Sequence, residues 1–140
     1  MENAAQRIQA NLEHLSTQGA DAAQIADAAV TIWRDINAAL SPLIGQRGVT
    51  ALYKRSLYLS RGDYPWLAAV AEGALHASDF TSLRTALAQQ TSANASAANG
   101  ALLNAFTELL TNLVGVSLTE RLLLSVWEHH SNGHSEQENT

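Results

Sequence analysis

The chain has 140 residues, 46% of them hydrophobic and 15% charged, with a net charge of -5 and no cysteine. This length supports one domain with a self-standing core, and the lack of cysteine excludes disulfides and thiolate metal sites. No stretch approaches the roughly 18 apolar residues of a membrane span, the N-terminus lacks a secretory pattern, and the acidic balance argues against general nucleic-acid affinity, so a cytoplasmic protein without nucleic-acid or membrane partners is expected.

Apolar residues recur every three or four positions almost throughout, and alternating strand patterns are missing, which makes the chain all-α. The first helix runs from about Asn3 to Ser16 with Ile8, Leu12 and Leu15 on one side, and Gly19 ends it. Asp21 caps a second helix whose buried stripe is Ile25, Ala29, Ile32, Ile36 and Leu40, broadened by Trp33. Ser41-Pro42 is expected to end that helix, because proline disfavours helical geometry in the residue before it.

A turn at Leu43-Ile44-Gly45 then leads into a helix from about Arg47 to Ser60, closed by Gly62. Pro65 opens the segment Trp66 to His76, and Ser78 or Asp79 caps a helix carrying Phe80, Leu83 and Leu87. The alanine-rich run from Thr91 to Gly100 reads as the thin start of a long helix, since Leu102, Leu103, Phe106, Leu109, Leu110 and Leu113 continue from it. Gly115 breaks that helix, and Ser117-Leu118-Thr119-Glu120 has the spacing of a capping box. The last helix holds Leu118, Leu122, Leu123, Leu124, Val126 and Trp127, too many apolar residues for one narrow stripe. No internal repeat is evident. The expected architecture is an antiparallel bundle of six to seven helices with short turns over residues 1–130, followed by a disordered polar tail over 131–140.

The charge distribution is the most distinctive feature. Four of the eight basic residues, Arg47, Lys54, Arg55 and Arg61, lie between Asp35 and Asp63, a stretch that contains no acid. Wound as a helix, Arg47, Lys54 and Arg61 recur every seven residues on one face and span about 21 Å, with Tyr58 beside them and Arg55 on the flank. Val49, Leu52, Tyr53, Ser56 and Leu59 should occupy the opposite, buried face. The competing account pairs these cations with acids such as Asp35, Asp63 or Glu72.

Catalytic signatures are missing. Gly45-Gln46-Arg47-Gly48 matches no phosphate-binding loop, and no His-Glu-x-x-His, Gly-x-Ser-x-Gly or paired Glu-x-x-His pattern occurs. Neither His14-Leu15-Ser16-Thr17 nor His76-Ala77-Ser78-Asp79 carries the lysine that follows the phospho-accepting histidine of histidine phosphotransfer domains. His129, His130 and His134 cluster near the C-terminus, where a mobile tail would not hold a selective metal site. No cofactor or metal is expected.

The leading expectation is a non-enzymatic regulatory or adaptor domain, of a kind used in bacterial signalling, that docks an acidic protein partner through Arg47, Lys54, Arg55, Tyr58 and Arg61. One alternative is a helical sensor with a small-molecule pocket lined by Leu52, Tyr53, Trp66 and Phe106. The other is a homodimer formed through Leu123, Leu124 and Trp127.

Overall fold

The computed structural model describes residues 3–73 and 80–139, with side chains as far as residue 129. Among the described residues it contains six helices and no strand: α1 (Ala4–Thr17), α2 (Ala22–Ser60), α3 (Leu67–Gly73), α4 (Thr81–Ala88), α5 (Ser92–Val114) and α6 (Val116–Asn139). The Ser78 and Asp79 caps and the end of the Trp66–His76 segment fall outside the described residues. The backbone of α6 continues to Asn139 through the stretch whose composition suggests a disordered tail, and its side chains from His130 onward lie outside the described residues.

The helix starts are set by side chains that reach their own free amides. Asn3 and Asp21 accept from the N–H groups of Gln6 and Gln24, whose side chains reach back to the cap backbone in return, so each start is a capping box completed by glutamine. Thr91 accepts from the Asn94 N–H, and the alanine-rich run after it is helical as the composition predicts. Phe80 precedes α4 without a side-chain cap.

Ser117 and Glu120 do not form the capping box that their spacing suggests. Helix α6 starts at Val116, and the Glu120 carboxylate accepts the Ala4 N–H at 2.9 Å, across 116 residues of chain. A carboxylate there meets both a free amide and the positive end of the α1 dipole, which outweighs a local cap. Glu120→Ala is therefore expected to destabilise the fold by about 1 kcal/mol. Glu120→Gln, which keeps an acceptor oxygen, should lose less; urea denaturation of both variants checks this.

Helix α2 is not a straight rod. Its break lies at Gly45 (φ 78°, ψ 160°), and helical geometry continues through Ser41 and Pro42, which corrects the expected end. The Ser41 hydroxyl lies 3.1 Å from Asn37 Oδ1 and 3.3 Å from Gln46 Oε1, holding the last turn of the first limb against the start of the second. In a straight helix Trp33 and Tyr53 would stand about 30 Å apart. Their ring centroids are 5.7 Å apart, so the limbs 22–44 and 46–60 fold back against one another.

That reversal assembles the centre of the core. Trp33 packs edge-on to Phe106 at 5.2 Å, and Tyr53 to Phe80 at the same distance, which ties both limbs of α2 to α5 and to the start of α4. The Trp33 indole N–H donates to Asn99 Oδ1 at 2.8 Å inside this cluster. The Ile25, Ala29, Ile32, Ile36, Leu40 stripe is buried throughout, as its spacing predicts. In the second limb the buried stripe is Val49, Tyr53, Ser56, Leu57 and Ser60; Leu59 is half exposed, contrary to expectation. The fold-back at Gly45 sets which arc of the limb meets the core, and Leu57 takes the place expected for Leu59.

The two halves of the chain repeat one plan at a shift of 70 residues. Asp21 and Thr91 cap helices that end at Gly45 and Gly115, both glycines having φ near 80–90° and ψ near 160° (78°/160° and 92°/162°). Buried Ile32, Ile36, Leu40 and Tyr53 correspond to buried Leu102, Phe106, Leu110 and Leu123. Packing reciprocates, with α1 lying on α5 and α4 on α2. The repeat is hidden in the sequence because, between 21–60 and 91–130, identities such as Leu40 with Leu110, Leu43 with Leu113 and Gly45 with Gly115 are few; what recurs is size, burial and the corner.

Candidate protein-interaction surface

The second limb of α2 begins immediately after the Gly45 corner, and its buried stripe seats it on the core along one side. The opposite side is thereby turned outward. Arg47, Arg55, Tyr58 and Arg61 are exposed and Lys54 is partly so, which places all five residues of the sequence-derived set along one outer face. The rigidity of this face comes from the helix and its packed underside, not from contacts among the charges.

None of the acids considered as partners closes a salt bridge with it. Among the described residues the only ion pair joins Arg84 to Asp27, both well exposed, and the hydrogen bond and charge of Asp27 push the Arg84 guanidinium above its ordinary range. Asp35, Asp63 and Glu72 form no ion pair with Arg47, Lys54, Arg55 or Arg61 within the described residues. Like charges at this density, without counter-charges, raise the local positive potential of a chain that is negative overall.

Arg61, the cap of α2, is held differently from the other cations. Its guanidinium carbon lies 3.5 Å from the centroid of the Tyr58 ring, and its Nη1 donates to the Tyr58 carbonyl at 2.8 Å. Stacking and a backbone tether fix a side chain that would otherwise lose entropy on binding. Next to it, an open cleft of about 440 Å³ is lined by Leu59, Arg61, Gly62 and Pro65. Tyr58 and Leu59 are each 49% exposed, so aromatic and aliphatic surface sits among the cations.

The 70-residue repeat offers an internal comparison. At the positions in α6 equivalent to Arg47, Lys54, Arg55 and Tyr58, the chain has Ser117, Leu124, Ser125 and Glu128. The equivalent helix in the second half replaces these four residues and carries one exposed arginine, Arg121, at the position of Ala51, so the fold does not require a dense run of cations there.

The residues of the alternative pocket do not share a cleft. Tyr53 and Phe106 are core side chains, Leu52 packs against the core, and Trp66 lines a separate open groove of about 370 Å³ between α3 and α4. The dimer set also divides: Leu123 is buried at 1% exposure, while Leu124 and Trp127 are half-buried against the core. Leu43, Leu113 and Val116, beside the two glycine corners, are the more exposed apolar side chains.

A larger cleft, of about 510 Å³, was not legible in the sequence. It lies between α1 and α5 and is lined by Gln6, Gln9, Glu13, Gly100, Asn104 and Thr107 among others. Gln9 donates to the Ser96 carbonyl at 2.8 Å and lies directly over Gly100, where an added Cβ would meet its amide nitrogen at 2.8 Å. The absence of a side chain at Gly100 is what lets the Gln9 amide seat against α5.

His14 and His129 are exposed, His76, His130 and His134 fall outside the described residues, and no cluster of three metal-ligating side chains occurs among the described residues. No helix among them is long and apolar enough to cross a membrane. Compared with protein-family models, curated proteins and solved structures, the chain matches none of them.

Proposed function

We propose that the protein is a non-enzymatic adaptor or regulatory module that docks an acidic protein partner on the outer face of residues 46–61. The observation that carries this reading is a run of three exposed cations and one partly exposed cation on a packed helix, with no ion-paired acid among the described residues. Charges arranged in this way speed encounter with an opposite surface and suppress wrong partners, and they need no catalytic constellation.

The test is affinity capture from native lysate at low and moderate salt, with identification of the retained proteins. Arg47→Glu/Lys54→Glu is expected to lose the salt-sensitive partner by more than tenfold while helicity and melting temperature stay within a few degrees of wild type, because both side chains are outside the buried stripe. Equal capture by the double variant removes the proposal.

The α1–α5 cleft favours a second reading, a sensor for a small polar ligand. Its amide side chains offer both donors and acceptors, and a metabolite that raises the melting temperature in wild type but not in Gln9→Ala would select it over the adaptor.

A further inference from the structure

We propose, building on the docking reading above, that the C-terminal end of the basic face recognises a specific motif in the partner: a carboxylate next to a bulky apolar side chain. Arg61 binds the acid, and the cleft beside it receives the apolar group. Arg61 is the cation best prepared for this role, since stacking on Tyr58 and the bond to the Tyr58 carbonyl already restrict it, and its remaining N–H donors are available for a bidentate carboxylate. The cleft of about 440 Å³ bounded by Leu59, Gly62 and Pro65 is large enough for one aromatic or leucine-sized side chain.

A cleft with aliphatic walls thus lies at the Arg61 end of the face. Arg47 and Lys54, about 21 and 10 Å back along the helix, act as steering charges. An acidic peptide satisfies both features. A nucleic-acid strand satisfies the charge, but a phosphodiester backbone has no apolar side chain for the cleft, and the chain as a whole is negative.

The experiment is fluorescence anisotropy on the full chain with three probes: a labelled oligoglutamate peptide carrying one phenylalanine, its alanine twin, and labelled oligothymidylate. Wild type is expected to bind the phenylalanine peptide about tenfold more tightly than the twin, the scale of burying one such side chain. Gly62→Leu, which puts a bulky side chain on a residue lining the cleft, should reduce the phenylalanine peptide to the level of the twin. A Cβ at Gly62 meets nothing within 4 Å, so that variant should fold, and its melting curve shows whether it does. Arg61→Lys should weaken both peptides several-fold by replacing a stacked fork with a mobile point charge.

Equal affinity for the two peptides, an increment that survives Gly62→Leu, no binding of either peptide, or oligothymidylate binding as tightly as the phenylalanine peptide would each overturn the motif. The docking reading is tested separately by the lysate capture. It stands if both peptides bind equally, binding is salt-sensitive and Arg47→Glu/Lys54→Glu abolishes it, so the two failures are distinguishable.

Discussion

Trp33→Ala is expected to bring the protein close to unfolding at room temperature. The side chain is 2% exposed and packs on both Tyr53 and Phe106, the contacts that hold the second limb of α2 and the middle of α5 to the first limb. Removing a buried tryptophan costs about 3–5 kcal/mol through lost transfer energy and the cavity left behind, against a typical total of about 5–15 kcal/mol for a domain. Trp33→Phe separates packing from hydrogen bonding. It keeps an aromatic ring but leaves buried Asn99 Oδ1 without its donor, for an expected loss of about 1–3 kcal/mol.

Urea denaturation followed by helical circular dichroism measures both losses. Adding Asn99→Leu to Trp33→Phe should restore part of the second loss, because removing both polar partners costs less than stranding one. If Trp33→Phe were as stable as wild type, the Trp33–Asn99 bond would not hold the core in the way described.

Gly45→Ala and Gly115→Ala should each cost about 1–3 kcal/mol even though an added methyl group would touch nothing. Both residues combine a positive φ with ψ near 160°, a region that excludes side chains because of clashes within the residue itself. Gly62→Ala is the control. Its Cβ also meets open space and its φ lies outside the positive range, so its effect should stay within about 0.5 kcal/mol. Equal stability of all three variants would mean that the corners relax at little cost. A loss confined to Gly45 and Gly115 would confirm that two single-glycine corners define the repeated plan.

The same corners bear on the proposed function. Gly45 turns the second limb of α2 back onto the core, which fixes its inner stripe and leaves Arg47, Lys54, Arg55, Tyr58 and Arg61 outside. A Gly45→Ala variant that folds but misplaces the limb should weaken partner capture with every charge intact, so capture should be scored only against folded protein.

Local chemistry is legible in the chain without the fold. The Asp21 cap, the stop at Gly19, the break at Gly115, the buried stripe from Ile25 to Leu40 and the helical Thr91–Gly100 run all depend on backbone dihedrals or on contacts three to four residues away. The basic face is equally legible, because a seven-residue spacing keeps its side on any regular helix. What tertiary structure decided depends on neighbours distant in sequence. Glu120 passes over its own helix start for the amide of Ala4, Leu57 displaces Leu59 from the core, and the first limb stays helical through Pro42 up to the corner at Gly45, across which Trp33 reaches Tyr53. The α1–α5 cleft and the 70-residue repeat belong to the same class, since a groove needs two walls and a repeat of burial needs a core to be buried in.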